Sequence, residues 1–321
     1  MKAPSFWHRE SFISTLLSPL AWLYQVGAQL REEFTQPVIL PVPLICIGNI
    51  VAGGSGKTPI ALSLGRHLRG LGIKMHFLSK GYGGTLAGPV LVNPGLQTIG
   101  QIGDEAYLLH RIAPCWVAKN RIAAAKVAIS AGAEMLIMDD GFQNPTLHKT
   151  FSFLVIDGGY GLGNGKTIPA GPLREPPAKA FSRAHAVIIV GEDVTGLKEH
   201  IPSHLPVLWA SLEPVPASAE SVAGRDVVAF AGIGRPEKFF ASLEQVGARI
   251  VERVSFADHH PYTSSDMESL SEKAARHKAM LVTTEKDLTR IPEFYRARIR
   301  TLQVEIMWHN PELLAQLLAT L

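Results

Sequence analysis

Gly53, Gly54, Ser55, Gly56, Lys57 and Thr58 stand in one run, "GNIVAGGSGKTPIAL" (residues 48–62), and their types point to phosphate chemistry. Glycines let backbone N–H groups come close to a polyphosphate, a lysine reaches the β and γ oxygens, and a threonine hydroxyl can hold Mg²⁺. The strict phosphate-loop pattern asks for Gly, four residues, then Gly-Lys-Ser/Thr. Counting back from Gly56 places Val51 where the first glycine belongs. That departure concerns only the outer turn, and Gly48, three residues earlier, offers a partial stand-in. A second Gly-Lys-Thr, Gly165-Lys166-Thr167, is followed at once by Pro169 and Pro172. No helix can begin there, so the letters lack the architecture.

Further along, "MLIMDDGFQ" closes an apolar run with Asp139 and Asp140. A carboxylate at such a strand tip is where phosphate-loop enzymes hold Mg²⁺. The plainer reading is a solvated turn, against which two adjacent acids behind apolar residues weigh. Asp104 and Glu105 follow Gly103 at the start of a helical pattern. The helix dipole favours carboxylates there, so capping and catalysis both stay open. His259 and His260 in "DHHP" read either as a turn steadied by Asp258 or as a catalytic site; no nearby cysteine suggests zinc. Arg174 and Glu175 lie in the proline-stiffened "PAGPLREPP", a rigid surface loop or a fixed grip on a phosphate.

These residues need strands and helices to place them. "VPLICIGNI" reads as a buried strand, and "TPIALSLGRHLRGLG" as a helix with Pro59 in its first turn and Gly72 near its end. "KMHFLSKGYGG", "GDEAYLLHRIAP" and the stretch 114–144 continue the alternation, which implies a parallel sheet covered on both faces. "FSFLVIDGG" and "AHAVIIVGED" add strands around a long Gly/Pro loop, and "LEPVPASAESVAGR" reads as a connection. Beyond it, "DVVAFAGIGRPEKFFASLEQVGARIVERVSF" and "AMLVTTEKD" form a second α/β pattern. The expected architecture is α/β: a phosphate-loop parallel-sheet domain over 36–215, a smaller α/β domain over 216–321 closing a cleft, and an N-terminal apolar helix region over 1–35.

Composition narrows the class. The chain has 321 residues, 46% of them hydrophobic, and a net charge of +3 with no dense basic block, which argues against a nucleic-acid binder. Cys46 and Cys115, the two cysteines, read as buried thiols. "FISTLLSPLAWLYQVGAQL" (12–30) is too interrupted by Ser14, Thr15, Ser18, Pro19, Gln25 and Gln29 for a spanning helix. Phe12, Leu16, Leu20 and Leu23 recur at helical spacing, with Trp22 and Tyr24 suited to headgroup depth and Lys2, Arg9 and Arg31 at the flanks. A helix packed on the protein's own core and an interfacial membrane helix both fit.

The loop, "SKGYGG", "GDEAYLL", "MDDGFQ", "GNGKTIPAGPLREP", "FADHHPYT" and "TTEKD", in this order from about residue 40 to 290, closely resemble the tetraacyldisaccharide 4'-kinase family of Gram-negative bacteria. One departure is Lys80, where the family usually carries arginine; the charge is kept and the bidentate fork lost. The resemblance implies transfer of the γ-phosphoryl group of ATP, with Mg²⁺, to the 4'-hydroxyl of a lipid-linked disaccharide. It implies a peripheral protein on the cytoplasmic face of the inner membrane; a monomer without a nucleic-acid partner is expected. It implies that Asp104 and His259, with Lys57, are catalytic, His260 being the weaker choice. Thr58, Asp139 and Asp140 would serve the metal. Arg174, Glu175, Tyr82, Gln143, Asn120 and Arg121 would serve the substrate. The rival class is an ATPase or GTPase switch of the partitioning and metallochaperone type. The signature loop of that group often has Lys before Gly-Gly, a place held here by Ala52. A non-enzymatic membrane binder is a further alternative, against which Lys57, Asp139 and Asp140 speak.

Overall fold

The computed structural model describes residues 4–321, so Lys2 of the expected basic flank lies outside the described residues. The chain divides into two compact units, one holding residues 4–211 with Ile306–Leu321 and the other Leu212–Glu305.

In the larger unit a 3-10 turn at Ser5–Trp7 precedes two α-helices, α1 (Phe12–Leu16) and α2 (Ser18–Glu33). They are two rather than one because Ser18-Pro19 starts a new first turn, where proline is tolerated. Strand β1 (Leu44–Gly48) leads through the glycine loop into α3 (Lys57–Gly70). Then come β2 (Met75–Ser79), β3 (Val90–Leu91), α4 (Ile99–Ile102), α5 (Asp104–His110), β4 (Cys115–Val117), α6 (Arg121–Ser130) and β5 (Met135–Asp139). After β6 (Phe151–Asp157), α7 (Pro177–Arg183), β7 (Ala186–Val190) and α8 (Leu197–His200), the chain leaves along β8 (Val207–Pro214).

The smaller unit comprises α9 (Pro216–Val222), β9 (Asp226–Ala231), α10 (Pro236–Gln245), β10 (Arg249–Ser255), α11 (Ser264–His277), β11 (Met280–Thr284), α12 (Glu285–Arg290), α13 (Glu293–Arg296) and β12 (Ile299–Leu302). The chain then returns to the larger unit along β13 (Val304–Trp308) and ends in α14 (Pro311–Leu318). The segment expected to be a connection is thus the end of β8 followed by α9, with Pro216 in the first turn of that helix.

The large sheet runs β13-β8-β7-β6-β1-β5-β2-β4-β3. Strand β1 lies between β5 and β6, parallel to both. Strands β1, β5, β6 and β7 are buried along their whole length, which is why they read as unbroken apolar runs without alternation. Pairing of Ile47 with Asp139 sets the tip of β5 beside the exit of β1.

The smaller sheet runs β10-β9-β11-β12, all parallel. Val227, Ala229 and Ala231 pack with Phe239, Phe240 and Leu243 of α10. Val228 and Phe230 on the other face pack with Met267 and Leu270 of α11. Its polar centre is Asp287, fully buried. That carboxylate accepts hydrogen bonds from the Gly232 N–H (2.9 Å), the Tyr262 hydroxyl (2.8 Å), Arg290 Nη2 (2.8 Å) and the Thr284 hydroxyl (2.6 Å). Burial and the adjacent carboxylate push the Tyr262 hydroxyl far above its usual pKa, so it stays a donor.

Removing Asp287 takes the buried counter-charge from Arg290 and the acceptor from three further donors. Asp287→Ala is expected to destabilise the smaller unit by about 3–5 kcal/mol, and Tyr262→Phe by about 2 kcal/mol. Denaturant unfolding followed by tyrosine and tryptophan fluorescence measures both; an Asp287→Ala cost below about 1 kcal/mol would contradict the network.

Candidate active site

The glycine loop is built against a second segment that the sequence did not reveal as its partner. Val51, at the position of the missing glycine, forms an antiparallel bridge with Leu173. The Ala52 N–H donates to Pro172 O (2.8 Å), and the Arg174 N–H to Ile50 O (2.6 Å). Val51 is therefore an extended, buried residue whose side chain joins the core beside Leu173. Gly48 is no stand-in for the loop: a Cβ there would lie 2.4 Å from Cβ of Phe142, so glycine admits the close approach of "DDGFQ". Asn49 braces the loop from within, its amide donating to Val51 O (2.6 Å) and Gly53 O (3.4 Å).

Gly56 enters α3 in the left-handed region at φ +85°, which suits glycine. Gly53 and Gly54 are exposed and Ser55 is buried. Helix α3 thus begins at Lys57 and turns its first N–H groups toward the loop, a site suited to an anion. The second Gly-Lys-Thr lies in a loop in which Thr167 bridges Leu173, and the next helix starts only at Pro177.

Lys57, Asp140 and Arg174 meet on one oxygen. Asp140 Oδ1 lies 3.6 Å from Lys57 Nζ and accepts a hydrogen bond from Arg174 Nη1 at 2.9 Å. Burial pushes the Asp140 carboxyl up, but Lys57 and Arg174 outweigh it and hold it below the usual range. For Lys57 burial prevails over Asp140, and its ammonium pKa is lowered. Asp140 sits at φ +50°, one of three non-glycine residues with positive φ among those described; His259 at +59° is another. Such backbone strain gathers where function over-determines geometry.

Asp139 is buried at 5% exposure, and its Oδ1 has no hydrogen-bond partner. The Thr58 hydroxyl donates to Oδ2 at 3.3 Å. Burial first, then Asp140, push its pKa up to about 6 against the pull of Lys57, the Thr58 bond and Arg121. Arg121 is itself buried, its Nη1 donating to Ala118 O (3.0 Å), and desolvation lowers its pKa while Asp139 is the leading charge that opposes this.

The remaining expected residues are spread over both units. Asp104 opens α5, is buried, and accepts the Glu105 N–H on Oδ1 at 3.1 Å. Asn120 is the N-cap of α6, accepting from the Ala123 N–H. Tyr82 and Lys80 are exposed. Gln143 Nε2 donates to Asn49 O (2.8 Å) and Glu175 Oε1 (2.9 Å), while Gln143 Oε1 accepts from Arg174 Nη1 (3.4 Å). Glu175 is buried and also paired with Arg183. In the smaller unit, the His259 N–H donates to Gly232 O (3.0 Å), and Lys286 Nζ lies 3.3 Å from His259 Nε2. His260 is stacked on Phe256 and bonded to Asp266, which forms the capping box of α11 with the N-cap Thr263. Asn49, Leu173, Arg183 and Glu32 were not found from sequence. Asn49 directly after a strand was the only local hint, because the others act through residues distant in the chain.

A family model described as tetraacyldisaccharide-1-P 4'-kinase matches residues 13–321. The tetraacyldisaccharide 4'-kinase of Rhodospirillum centenum is 48% identical over 326 residues, covering 100% of this chain and 97% of that protein. That of Paramagnetospirillum magneticum is also 48% identical, covering 99% and 98%. Among solved structures, an "apo" form LpxK from Aquifex aeolicus in complex with ATP is similar with a TM-score of 0.78 and 26% identity, covering 96% of this chain and 99% of that one.

The raised Asp139 carboxyl has a signed consequence for the ligand-free protein. Between an unfolded value of about 3.9 and the folded value of about 6, the folded state keeps a proton that the unfolded chain has lost. Its contribution to stability is therefore complete below the lower value and is lost as pH rises through the upper one, on the order of 3 kcal/mol. Asp140, with its lowered pKa, acts in the opposite sense at acid pH. Asp139→Asn is expected to flatten the fall in stability between pH 4 and 7 and to be the more stable protein at pH 8. Unfolding midpoints across that range check it; parallel curves for the two proteins would refute it.

Proposed function

The chain belongs to the tetraacyldisaccharide-1-P 4'-kinase family, and from that premise we infer that it moves the γ-phosphoryl group of ATP to the 4'-hydroxyl of a tetraacylated glucosamine disaccharide 1-phosphate, the lipid A precursor. One observation carries the reading: Lys57 and Arg174 converge on Asp140 at the start of α3, in a chain similar over its whole length to enzymes of that name. Nothing in the relatives or the site favours the rival ATPase or GTPase switch.

The proposed division of labour is set by the chemistry. The sugar oxygen bonds to the γ-phosphorus, the bond to the β–γ bridging oxygen breaks, and ADP leaves with that oxygen. Loop N–H groups and Lys57 hold the phosphates and offset the charge that gathers on them. Asp104 accepts the hydroxyl proton, and His259 works with it as one catalytic unit. Thr58, Asp139 and Asp140 are all oxygen donors, and the unpartnered Asp139 Oδ1 fits a Mg²⁺ ligand. When bound there, Mg²⁺ supplies positive charge to the β and γ oxygens. Arg174, Glu175, Tyr82, Gln143, Asn120 and Arg121 are assigned to the disaccharide side, with Arg174 on its phosphate.

The proposed setting is the cytoplasmic face of the inner membrane, with the protein peripheral, monomeric and without a nucleic-acid partner. The net charge of +3 supports the last point. No helix among the described residues is long and apolar enough to cross a membrane. In α1 and α2 only Ser14 and Ala21 are buried, whereas Phe12 is 82% and Trp22 62% exposed, with Leu16, Leu20 and Leu23 also out. These helices therefore add little to the protein's own core, which favours the interfacial reading.

Two outcomes are expected. In an assay with Mg-ATP and detergent-dispersed disaccharide, Lys57→Ala should lower kcat by about a hundredfold or more in a folded protein. In the same assay Asp104→Ala/His259→Ala should be scarcely slower than the worse single variant, since residues acting as a unit are non-additive. Near-normal turnover in Lys57→Ala would sink the loop assignment, and multiplying losses would dissolve the catalytic pair. Separately, Phe12→Ser/Leu20→Ser/Trp22→Ser should weaken retention on anionic vesicles by about tenfold or more while ATP affinity holds. Unchanged flotation of that variant would contradict the interfacial role.

A further inference from the structure

Arg183, in the last turn of α7, belongs to no motif, yet it touches three separate segments of the larger unit at once. Its Nη2 pairs with Glu175 Oε2, and its Nη1 donates to Glu32 Oε1 of α2 at 3.0 Å. Its guanidinium carbon lies 5.0 Å from the centroid of the Phe142 ring, in the "DDGFQ" stretch. Lys179, one turn earlier, also pairs with Glu32.

We propose that Arg183 is a positioning residue for the phosphate site, holding Glu175 and Gln143 so that Arg174 and Asp140 keep their geometry, with Glu32 of α2 as its outer anchor. The proposal rests on the kinase reading above. A carboxylate as buried as Glu175 needs a cation, and only a planar fork spans two carboxylates and a ring face at once. With Glu175 fixed, the Gln143 amide has one usable orientation. Its Nε2 must face Glu175 and Asn49 O, which turns Oε1 toward Arg174. Arg174 Nη1 is then shared between Gln143 Oε1 and Asp140 Oδ1, and Asp140 Oδ1 is also the oxygen nearest Lys57 Nζ. A path of contacts thus runs from the C-terminal turn of α2 to the phosphate lysine. Loss of Arg183 would leave Glu175 to compete for other donors, release the Gln143 amide and take from Arg174 one of its two acceptors.

The experiment is a double-mutant cycle on kcat/KM for the disaccharide, in mixed micelles with Mg-ATP and with thermal unfolding as the control for folding. Arg183→Gln is expected to lower kcat/KM by about tenfold, and Arg183→Lys, which keeps the charge for Glu175, to recover part of it. In the Arg174→Ala background Arg183→Gln should cost less than about a further twofold, because its effect passes through Arg174. A full, multiplying loss there would mean a general structural role and overturn the proposal, as would wild-type kinetics in folded Arg183→Gln. Should Arg183→Gln fail to fold, Glu32→Gln takes its place, with an expected loss of about threefold that vanishes in the Arg174→Ala background; a loss that persists overturns the proposal. Wild-type kinetics in Arg174→Ala itself would overturn the underlying site reading and this proposal with it, whereas a slow Arg174→Ala beside a normal Arg183→Gln overturns the proposal alone.

Discussion

Two carboxylates side by side at the tip of one buried strand are costly to hold, and much of the larger unit is arranged around that cost. Asp139 is taken out of water with one oxygen left without a hydrogen bond, and its neighbour adds like charge. Three cations answer, from three different directions. Lys57 comes from the loop and Arg174 from the proline segment, while Arg121 is buried at the head of α6. The parallel register makes the meeting possible: Ile47 opposite Asp139 sets the acids beside the point where β1 becomes the loop. The left-handed turn at Asp140 sends the second carboxylate toward Lys57 and Arg174, while the first faces Thr58.

That part of the site was legible because it is local. A strand, a glycine loop and a helix start lie within residues 44–70, and the acids close an apolar run, so spacing alone placed them. What could not be read was pairing between distant segments. The bridge of Val51 with Leu173 explains why a valine is suited to a glycine's position, yet nothing in either run announces the other. Arg183 with Glu32, 151 positions apart, is invisible for the same reason. Pro216 opens α9 within the stretch read as a connection, because a residue that ends helices also begins them. The extent of the smaller unit was misjudged on a related ground. Strand β13 pairs with β8, so Ile306–Leu321 belongs with the larger unit despite its place in sequence.

In the smaller unit three stretches distant in sequence converge on one buried carboxylate. Gly232 from "AGIGR", Tyr262 from "DHHPYT" and Thr284 from "TTEKD" all donate to Asp287. The result reaches His259 through the backbone. Its N–H donates to Gly232 O, an oxygen that also accepts from Arg290 Nη2, and Arg290 is in turn paired with Asp287. A histidine held at positive φ needs such support, since an isolated turn would relax out of it. His260, by contrast, commits its ring to Phe256 and Asp266. Adjacent histidines thus have different work: one is held in an unusual backbone shape, the other helps cap α11.

The N-terminal helices withhold an apolar face from the core, and that decides how they are attached. A helix normally stays in place by burying that face. In α2 the large side chains stay exposed, so attachment has to come from polar groups along the other side. Gln25 donates to Thr167, and Glu32 pairs with Lys179 and Arg183. Ahead of α1, Trp7 Nε1 donates to Pro169 O, and Asn164 Nδ2 donates to Phe6 O. Most of these partners lie in residues 164–183, the stretch that also carries Leu173, Arg174 and Glu175. A helix with its large apolar side chains exposed is therefore fastened to the same segment that bridges the glycine loop and carries Arg174. The choice of fastening is physical rather than incidental: ion pairs and hydrogen bonds are the interactions left when the apolar surface is reserved, and they direct the helix to the charged segment of the unit.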